Sequence, residues 1–350
     1  MITANPELAR LFKRVERFIA PYNRNVVIEG ETGTGKENIA RAIHHHSDRS
    51  NGPFVAINCA SITETIAGSE LFGHVKGAFT GAYMDKRGVF EQAHGGTLFL
   101  DEISSLSADN QARLLRVLQE GELVRLGSLK VIKVNVRLVS ASNRDLWDLV
   151  RKGRFRNDLY FRIGKTKLRL LPLRHRPEDI HCLAEYLLDR FRDEMALEVK
   201  VIDDTAMQFL LDYNWPGNVR ELENIIGEAS IEAHVNGKEK IDPSHLPEVI
   251  TTYRKWPMGI GSRSRTRKHS DTRQAILYHL SCKSPRKVGE LSSRIGRDRS
   301  VIFKQSRKME SEGLVTIDRK RGNTGSRIHL NDKKEDSKSS HIDPNHEKNT

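Results

Sequence analysis

Apolar residues follow two rhythms along this chain. From Val26 to Asn143, short β-rich runs alternate with stretches of helical periodicity. VVIE (26–29), PFVAINC (53–59), TLFLDEI (97–103) and VRLVSAS (136–142) are continuous enough to be buried on both faces of a parallel sheet. Between them, KENIARAIHHHS and SADNQARLLRVLQEGE predict helices, the second through Ala112, Leu114, Leu115 and Leu118. This alternation predicts a doubly wound α/β domain. After LPLRHRPED the strand rhythm stops, and EDIHCLAEYLLDRFRDEMA, DTAMQFLLDYNW and NVRELENIIGEASIEAH predict a small helical domain.

Residues 251–270, TTYRKWPMGIGSRSRTRKHS, have no periodicity and read as a flexible basic linker. The last twenty residues, 331–350, are polar and predict disorder. Charge sharpens this division. Residues 1–250 hold 34 Lys and Arg against 35 Asp and Glu, residues 251–330 hold 20 against 6, and residues 331–350 hold 4 against 5. The basic excess of the chain therefore sits in one C-terminal segment, as expected for a module that meets a polyanion, although a solvated basic surface would give the same count.

Candidate chemistry starts at GETGTGKE, Gly30–Glu37, which follows an apolar strand and opens a helix. Glycines let backbone N–H groups curl inward, the helix N-terminus adds its dipole, and Lys36 adds a point charge, which together suit a phosphate. Glu37 stands where the generic pattern asks for Ser or Thr, and a plain Gly-rich turn remains open on spacing alone. The strand GGTLFLDEI ends in Asp101 and Glu102, at the edge where open α/β sheets bind ligands. Asp101 can hold a metal that bridges phosphate oxygens, and Glu102 can orient or deprotonate a water. Two acids there could also cap the next helix, but their pairing with the Gly-rich loop favours hydrolysis of a nucleoside triphosphate.

A third stretch, GHVKGAFTGAYMDKRGVFEQA (73–93), sets Phe79 and Thr80 between Gly77 and Gly81. So many glycines suit neither a core helix nor a central strand, and predict a bent loop with a single apolar tip.

Taken in order, GETGTGKE, ELFGHVKGAFTGA, GGTLFLDEI, VRLVSASNRDL, FRNDLYFRI and WPGNVRELEN resemble the central AAA+ domain of bacterial sigma-54-dependent transcription activators, over roughly residues 2–249. In that family GKE is usual, which accounts for Glu37. The resemblance implies an AAA+ α/β subdomain (1–172), a helical lid (173–249), and ATP and Mg2+ as ligands. Gly30, Glu31, Thr32, Gly33, Thr34, Gly35, Lys36 and Glu37 would cradle ATP, Asp101 would bind Mg2+, Glu102 would position water and Asn58 would hold Glu102. Asn143 would be the sensor at the tip of the fourth strand, with Ser142 where Thr is common. Arg156 and Arg162 would reach the neighbouring subunit's ATP, and Arg220 would report the nucleotide in its own subunit. Gly77, Ala78, Phe79, Thr80, Gly81 and Ala82 would form the loop that touches sigma-54 bound to RNA polymerase. A hexamer is the expected working form. Because the resemblance starts near Met1, control is expected from a regulatory protein acting in trans, from expression level, from a ligand bound elsewhere, or not at all.

The family's short C-terminal module does not match here. TRQAILYHLSCK (272–283), PRKVGELSSRIG (285–296) and DRSVIFKQSRKMESEG (298–313) suit three helices, and LVTIDRK and SRIHL around RGNTG suit a hairpin. This pattern over 271–330 resembles a winged helix-turn-helix that binds double-stranded DNA. Its third helix would lie in the major groove, with Arg299, Ser300, Lys304 and Gln305 facing bases or phosphates and Lys308 nearer the backbone, and Arg319, Lys320 and Arg321 would sit on the wing.

The absence of a long apolar run and of a signal-like N-terminus predicts a soluble, unexported protein without a membrane partner, and the resemblance implies the bacterial cytoplasm. Three well-separated cysteines, Cys59, Cys182 and Cys282, do not make a disulfide framework or a zinc ribbon. His44, His45 and His46 are consecutive on a helix, point apart, and do not suggest a metal site.

Overall fold

In the computed structural model of the chain, the described residues are 2–252, Ile276, Leu280, 286–295, 299–318 and 326–330. They fall into two compact units, Met1–Met258 and Gly259–Thr350.

The first unit is built on a five-stranded sheet of β1 (Val26–Glu29), β2 (Phe54–Asn58), β3 (Thr97–Asp101), β6 (Arg137–Ser142) and β7 (Thr166–Arg169). Its order is β2-β3-β6-β1-β7, and every neighbouring pair is parallel. Helices α1 (Pro6–Arg14), α2 (Lys36–His45), α3 (Glu64–Phe72), α4 (Val89–Gln92), α5 (Ala108–Glu120), α6 (Leu146–Arg151) and α7 (Asn157–Ile163) accompany it, with a small hairpin of β4 (Glu122–Val124) and β5 (Val131–Lys133). The apolar runs read from the sequence are buried on both faces. Leu98 and Leu100 of β3 join a core with Leu114 and Leu159, whereas Phe99 between them joins Ile39 and Ile43 on the opposite side. Truncating such a leucine to alanine costs about 2–5 kcal/mol.

The fifth strand, TKLR, carries no continuous apolar run. As an edge strand it buries Leu168 and leaves Lys167 and Arg169 in solvent. Arg137, fully buried at the start of β6, donates to Ile19 O (2.8 Å), Ala20 O (2.7 Å) and Arg24 O (3.3 Å), which ties the segment after α1 to the sheet.

The lid comprises α8 (Pro177–Met195), α9 (Asp204–Asp212), α10 (Asn218–Val235) and α11 (Glu248–Thr251), with a two-residue parallel pair of β8 (Val201–Ile202) and β9 (Lys240–Ile241). Its core gathers Leu187, Leu188, Leu210, Leu222 and Ile226 around Trp215. Trp215 adopts φ +53° and donates from Nε1 to Leu210 O at 2.8 Å, and Asn218 adopts φ +55°. Left-handed backbone is uncommon for residues other than glycine, so the NWPGN turn holds strain that its contacts offset.

In the second unit, the helices Val288–Ile295 and Arg299–Ser311 pack with a three-stranded antiparallel sheet of Arg286–Lys287, Arg327–Leu330 and Val315–Asp318. Its core includes Ile276, Leu280, Leu291, Ile302, Met309, Val315, Ile317 and Ile328. Arg286 and Lys287, read from sequence as the start of a helix, pair as a strand with Ile328 and Arg327. Most of the first expected helix, Asp298 and the RGNTG turn lie outside the described residues.

Candidate functional site

The loop Gly30–Gly35 joins β1 to α2 at the C-terminal edge of the sheet. Gly33 (φ +79°) and Gly35 (φ +98°) supply left-handed turns that place Lys36 at the first residue of the helix. Lys36 is buried, and its Nζ donates to Gly30 O (2.9 Å) and Glu31 O (3.1 Å) and lies 3.9 Å from Glu102 Oε1. Burial pulls its pKa down, while the negative charges of Glu102 and Asp101 pull the other way and the positive charge of Arg220 adds to the lowering.

Asp101 and Glu102 end β3 beside this loop. Asp101 Oδ1 accepts from Glu102 N at 3.0 Å, and Glu102 adopts φ +51°. The Glu102 carboxylate also accepts from Asn143 N at 3.2 Å, and Asn143 Nδ2 donates to Thr32 Oγ1 at 3.4 Å. A carboxylate on strained backbone, a buried ammonium, a second carboxylate and a Gly-rich loop leading into a helix N-terminus form a set suited to a polyphosphate carrying a divalent cation.

Other expected residues are placed differently. Asn58 pairs in register with Asp101, yet its Oδ1 accepts from Ala60 N at 2.8 Å and turns the chain after β2; Glu102 is held by Asn143 N instead. Glu37 lies on the outer face of α2, where Arg41 Nε donates to it at 3.0 Å, because the helix turns this position away from the loop. Glu31 is drawn outward by Arg174 (Nη1 to Oε2, 2.7 Å), which lowers its carboxyl pKa, with a further hydrogen bond from Asn218. Thr34 Oγ1 donates to Glu31 O at 2.7 Å and so closes the turn. Arg156 forms a two-point ion pair with Asp158 at the start of α7, at 3.0 and 2.7 Å, and Arg162 donates to Leu118 O. Both arginines are held within their own unit, at its surface.

Lid residues that the sequence reading passed over complete the site. Asn218 accepts from Leu173 N (2.7 Å) and donates to Thr32 O (2.9 Å), and Val219 N donates to Gly33 O (3.0 Å). A Cβ on Gly33 would stand 2.1 Å from Gly217 O and 3.3 Å from Arg220 Cβ, so the lid turn sits directly on the loop. Arg176, buried, donates to Thr34 O at 3.2 Å. A cavity of about 380 Å3 opens beside Thr34 and Gly35, walled by Phe12, Ile39, Leu187 and Tyr186. No local motif signals these contacts, since they join segments 45 to 186 residues apart.

The GAFTGA stretch is a folded turn outside this cluster. Gly77 (φ +83°) and Gly81 (φ +100°) bracket it, and Gly77 N donates to Ala82 O at 2.8 Å. A Cβ on either glycine would meet nothing within 4 Å, so conformation, not space, calls for glycine there. Thr80 is exposed, Ala82 is buried, and Ala78 rests against Gly127, where a Cβ would come within 2.7 Å. Phe79 is 43% exposed and meets the His74 ring edge-on at 5.0 Å; Tyr83 (84%) and Met84 (72%) are barer. The single apolar tip read from sequence is thus a patch of three side chains.

In the second unit, the helix Arg299–Ser311 buries Ile302, Ser306 and Met309 and exposes Arg299, Ser300, Lys304, Arg307 and Lys308, with Gln305 half-buried. The Arg299 guanidinium lies over Gly289 of the preceding helix, and Arg307, which the sequence reading did not name, stacks on Phe303 at 5.5 Å. Arg319, Lys320 and Arg321 lie outside the described residues.

Comparison with known proteins adds to this geometry. The sigma-54 interaction domain family matches residues 1–169, and the AAA+ ATPase lid domain family matches residues 174–256. The chain is 51% identical over 226 residues to the Nif-specific regulatory protein of Azotobacter vinelandii, covering 65% of this chain and 43% of that protein. It is 47% identical over 231 residues to the regulatory protein AtoC of Escherichia coli, covering 66% of this chain and 50% of the relative. The chain thus spans half or less of the length of these relatives. Among solved structures, NtrX from Brucella abortus in complex with ADP matches with a TM-score of 0.68 at 30% identity, over 90% of this chain and 70% of that one. The chain belongs to the AAA+ family of sigma-54-dependent transcription activators.

Proposed function

We propose that the protein uses ATP hydrolysis in a ring, a hexamer in the family's usual form, to remodel sigma-54 RNA polymerase at promoters. The observation that carries this reading is a glycine-bracketed GAFTGA turn in the same unit as a buried lysine and a paired Asp and Glu beside a Gly-rich loop. The loop Gly30–Gly35 and Lys36 hold the phosphates, and the cavity walled by Phe12 and Tyr186 takes the nucleoside. Asp101 holds Mg2+, which when bound neutralises charge on the phosphate oxygens. Glu102 orients the attacking water and accepts its proton. Its strained backbone and its bond from Asn143 N fix the carboxylate in advance, so little reorganisation is needed at the moment of attack.

Arg156 and Arg162 act on the ATP of the neighbouring protomer, leaving Asp158 and Leu118 O as the ring closes. Arg220 and the lid contacts at Thr32 and Gly33 carry the state of the loop to the lid. Gly77 and Gly81 let the turn change posture so that Phe79 and Thr80 reach sigma-54. The C-terminal unit serves as a winged helix-turn-helix that tethers the ring to upstream double-stranded DNA through the exposed basic face of Arg299–Ser311. The domain limits proposed are 1–172, 173–249, a linker over 250–270, and 271–330, and the setting is the bacterial cytoplasm.

The direct test is transcription in vitro from a sigma-54 promoter with the purified chain. Open complexes are expected with hydrolysable ATP and none with a non-hydrolysable analogue. ATP consumption without open complexes, or no consumption at any concentration, would overturn the reading.

A further inference from the structure

A second cavity, of about 250 Å3, lies between α1 and the end of the edge strand β7. Its chemistry is one-sided. Arg10 and Arg14 of α1, Arg169 of β7 and Arg176 ahead of α8 line it against one carboxylate, Glu7. Some surface arginines of this unit pair along their own helices, as Arg113 does with Asp109 and Arg151 with Asp148, and others, such as Arg17 and Arg144, stand singly. Arg10, Arg14 and Arg169 are exposed and have no ion-pair partner among the described residues. Four guanidinium groups around one recess concentrate positive potential there.

The fourth arginine differs from the other three. Arg176 is 5% exposed; it donates from Nη1 to Asp179 Oδ2 and from Nη2 to Thr34 O, both at 3.2 Å, and its buried Nε has no acceptor. A buried donor without a partner is costly and is retained where something else satisfies it. Arg176 also lines the larger cavity beside the Gly-rich loop, so one residue is common to both. Asp179, fully buried, accepts from Thr3 Oγ1 (2.8 Å), Ala4 N (2.7 Å) and Asn5 N (3.0 Å) at the entry to α1. The start of α1, Arg176 and the backbone of the Gly-rich loop are therefore one bonded chain.

We propose that this recess is a second anion site, which takes a small, multiply charged phosphate compound and weakens nucleotide binding when filled. Apolar walls from Leu8, Leu11 and Leu171 and the modest volume fit a compact phosphorylated molecule and not a nucleic-acid duplex. Arginine forks match phosphate oxygens in two-point geometry. An anion in the recess competes with Thr34 O for the Arg176 guanidinium and so loosens the loop. By linkage, nucleotide weakens the anion by the same factor.

The test is calorimetric titration of the full chain at constant ionic strength, with pyrophosphate and orthophosphate as probes. Three proteins are compared: wild type saturated with ADP, the Arg10→Ala/Arg14→Ala/Arg169→Ala variant saturated with ADP, and Lys36→Ala without nucleotide. Wild type and Lys36→Ala are expected to bind pyrophosphate at one site, and the triple variant at least tenfold more weakly. Tighter binding of pyrophosphate than of orthophosphate assigns the site to compounds with two phosphates, and equal binding assigns it to the free ion. Pyrophosphate is expected to weaken ADP binding to wild type about fivefold or more and to leave the triple variant's unchanged. Unaltered binding by the triple variant, or its loss in Lys36→Ala, would overturn the proposal. The coupling rests on the nucleotide reading. If ADP does not bind, that reading fails on its own, and the Lys36→Ala titration still decides the anion site.

Discussion

Lys36 sits under opposing effects. Burial disfavours its charge and lowers its pKa, and the two carboxylates of Glu102 and Asp101 oppose that shift without cancelling it. Replacing Glu102 by Gln removes one of those charges but keeps the shape and the acceptor for Asn143 N. Glu102→Gln is expected to retain ATP binding within about tenfold while turnover falls about 10²-fold or more, the usual range for losing a general base; phosphate release at the normal rate would refute the role. Close by, burial pushes the Cys59 thiol up to about 12, with the charges of Asp101 and Glu102 adding to the shift. Its raised folded pKa means that the stabilisation is complete below 9.0, the unfolded thiol's value, and is lost as pH climbs from there towards about 12. Melting temperature should therefore fall more steeply above pH 9 in the wild type than in Cys59→Ala. Peptide mapping after iodoacetamide at pH 8 should show Cys59 unmodified until urea is added. These groups were legible in sequence because a β-run, a Gly-rich turn and two terminal acids are local patterns. The hold of Asn143 N on Glu102 was not, because it depends on how β3 and β6 lie side by side.

At the level of elements, the GAFTGA turn is set by backbone conformation. Both bracketing glycines have free space around them and positive φ, so the segment can hold a tight turn without being wedged there. Phe79 leans on His74 and remains 43% exposed. Phe79→Ala should leave ATP hydrolysis within about twofold and abolish open-complex formation, because the change removes contact area and no part of the nucleotide site. Normal promoter opening by this variant, read by permanganate footprinting, would contradict the assigned contact. The edge strand TKLR was not legible because strands with one solvent-facing row lack the continuous apolar run that marks their inner neighbours. Arg286–Lys287 was misread for a related reason: a two-residue strand is created by a partner about forty positions away, not by its own composition.

Across the whole molecule, the charge is divided. The first 250 residues are close to neutral and the excess lies beyond them, so the unit with the Gly-rich loop and the basic segment are separate pieces of chain. Arg156 rests on Asp158 at the surface, where it serves no residue of its own nucleotide site. ATPase activity per protomer should therefore rise steeply with protein concentration. Arg156→Ala should lower kcat by about 10³-fold or more with ADP affinity retained. A linear dependence of rate on concentration down to nanomolar protein would exclude a shared site.

The contact at Gly33 gives the lid an unusual sensitivity. The turn before α10 comes so near that hydrogen alone fits between the two backbones, with Gly217 O 2.1 Å from where a methyl carbon would stand. Gly33→Ala would act as a doorstop: both halves would fold, but the smallest side chain would prop the lid ajar, and the engine would idle with its fuel line open. Nucleotide should then exchange faster, as followed with a fluorescent ADP analogue, while the melting profile of the isolated halves' cores stays close to that of the parent chain.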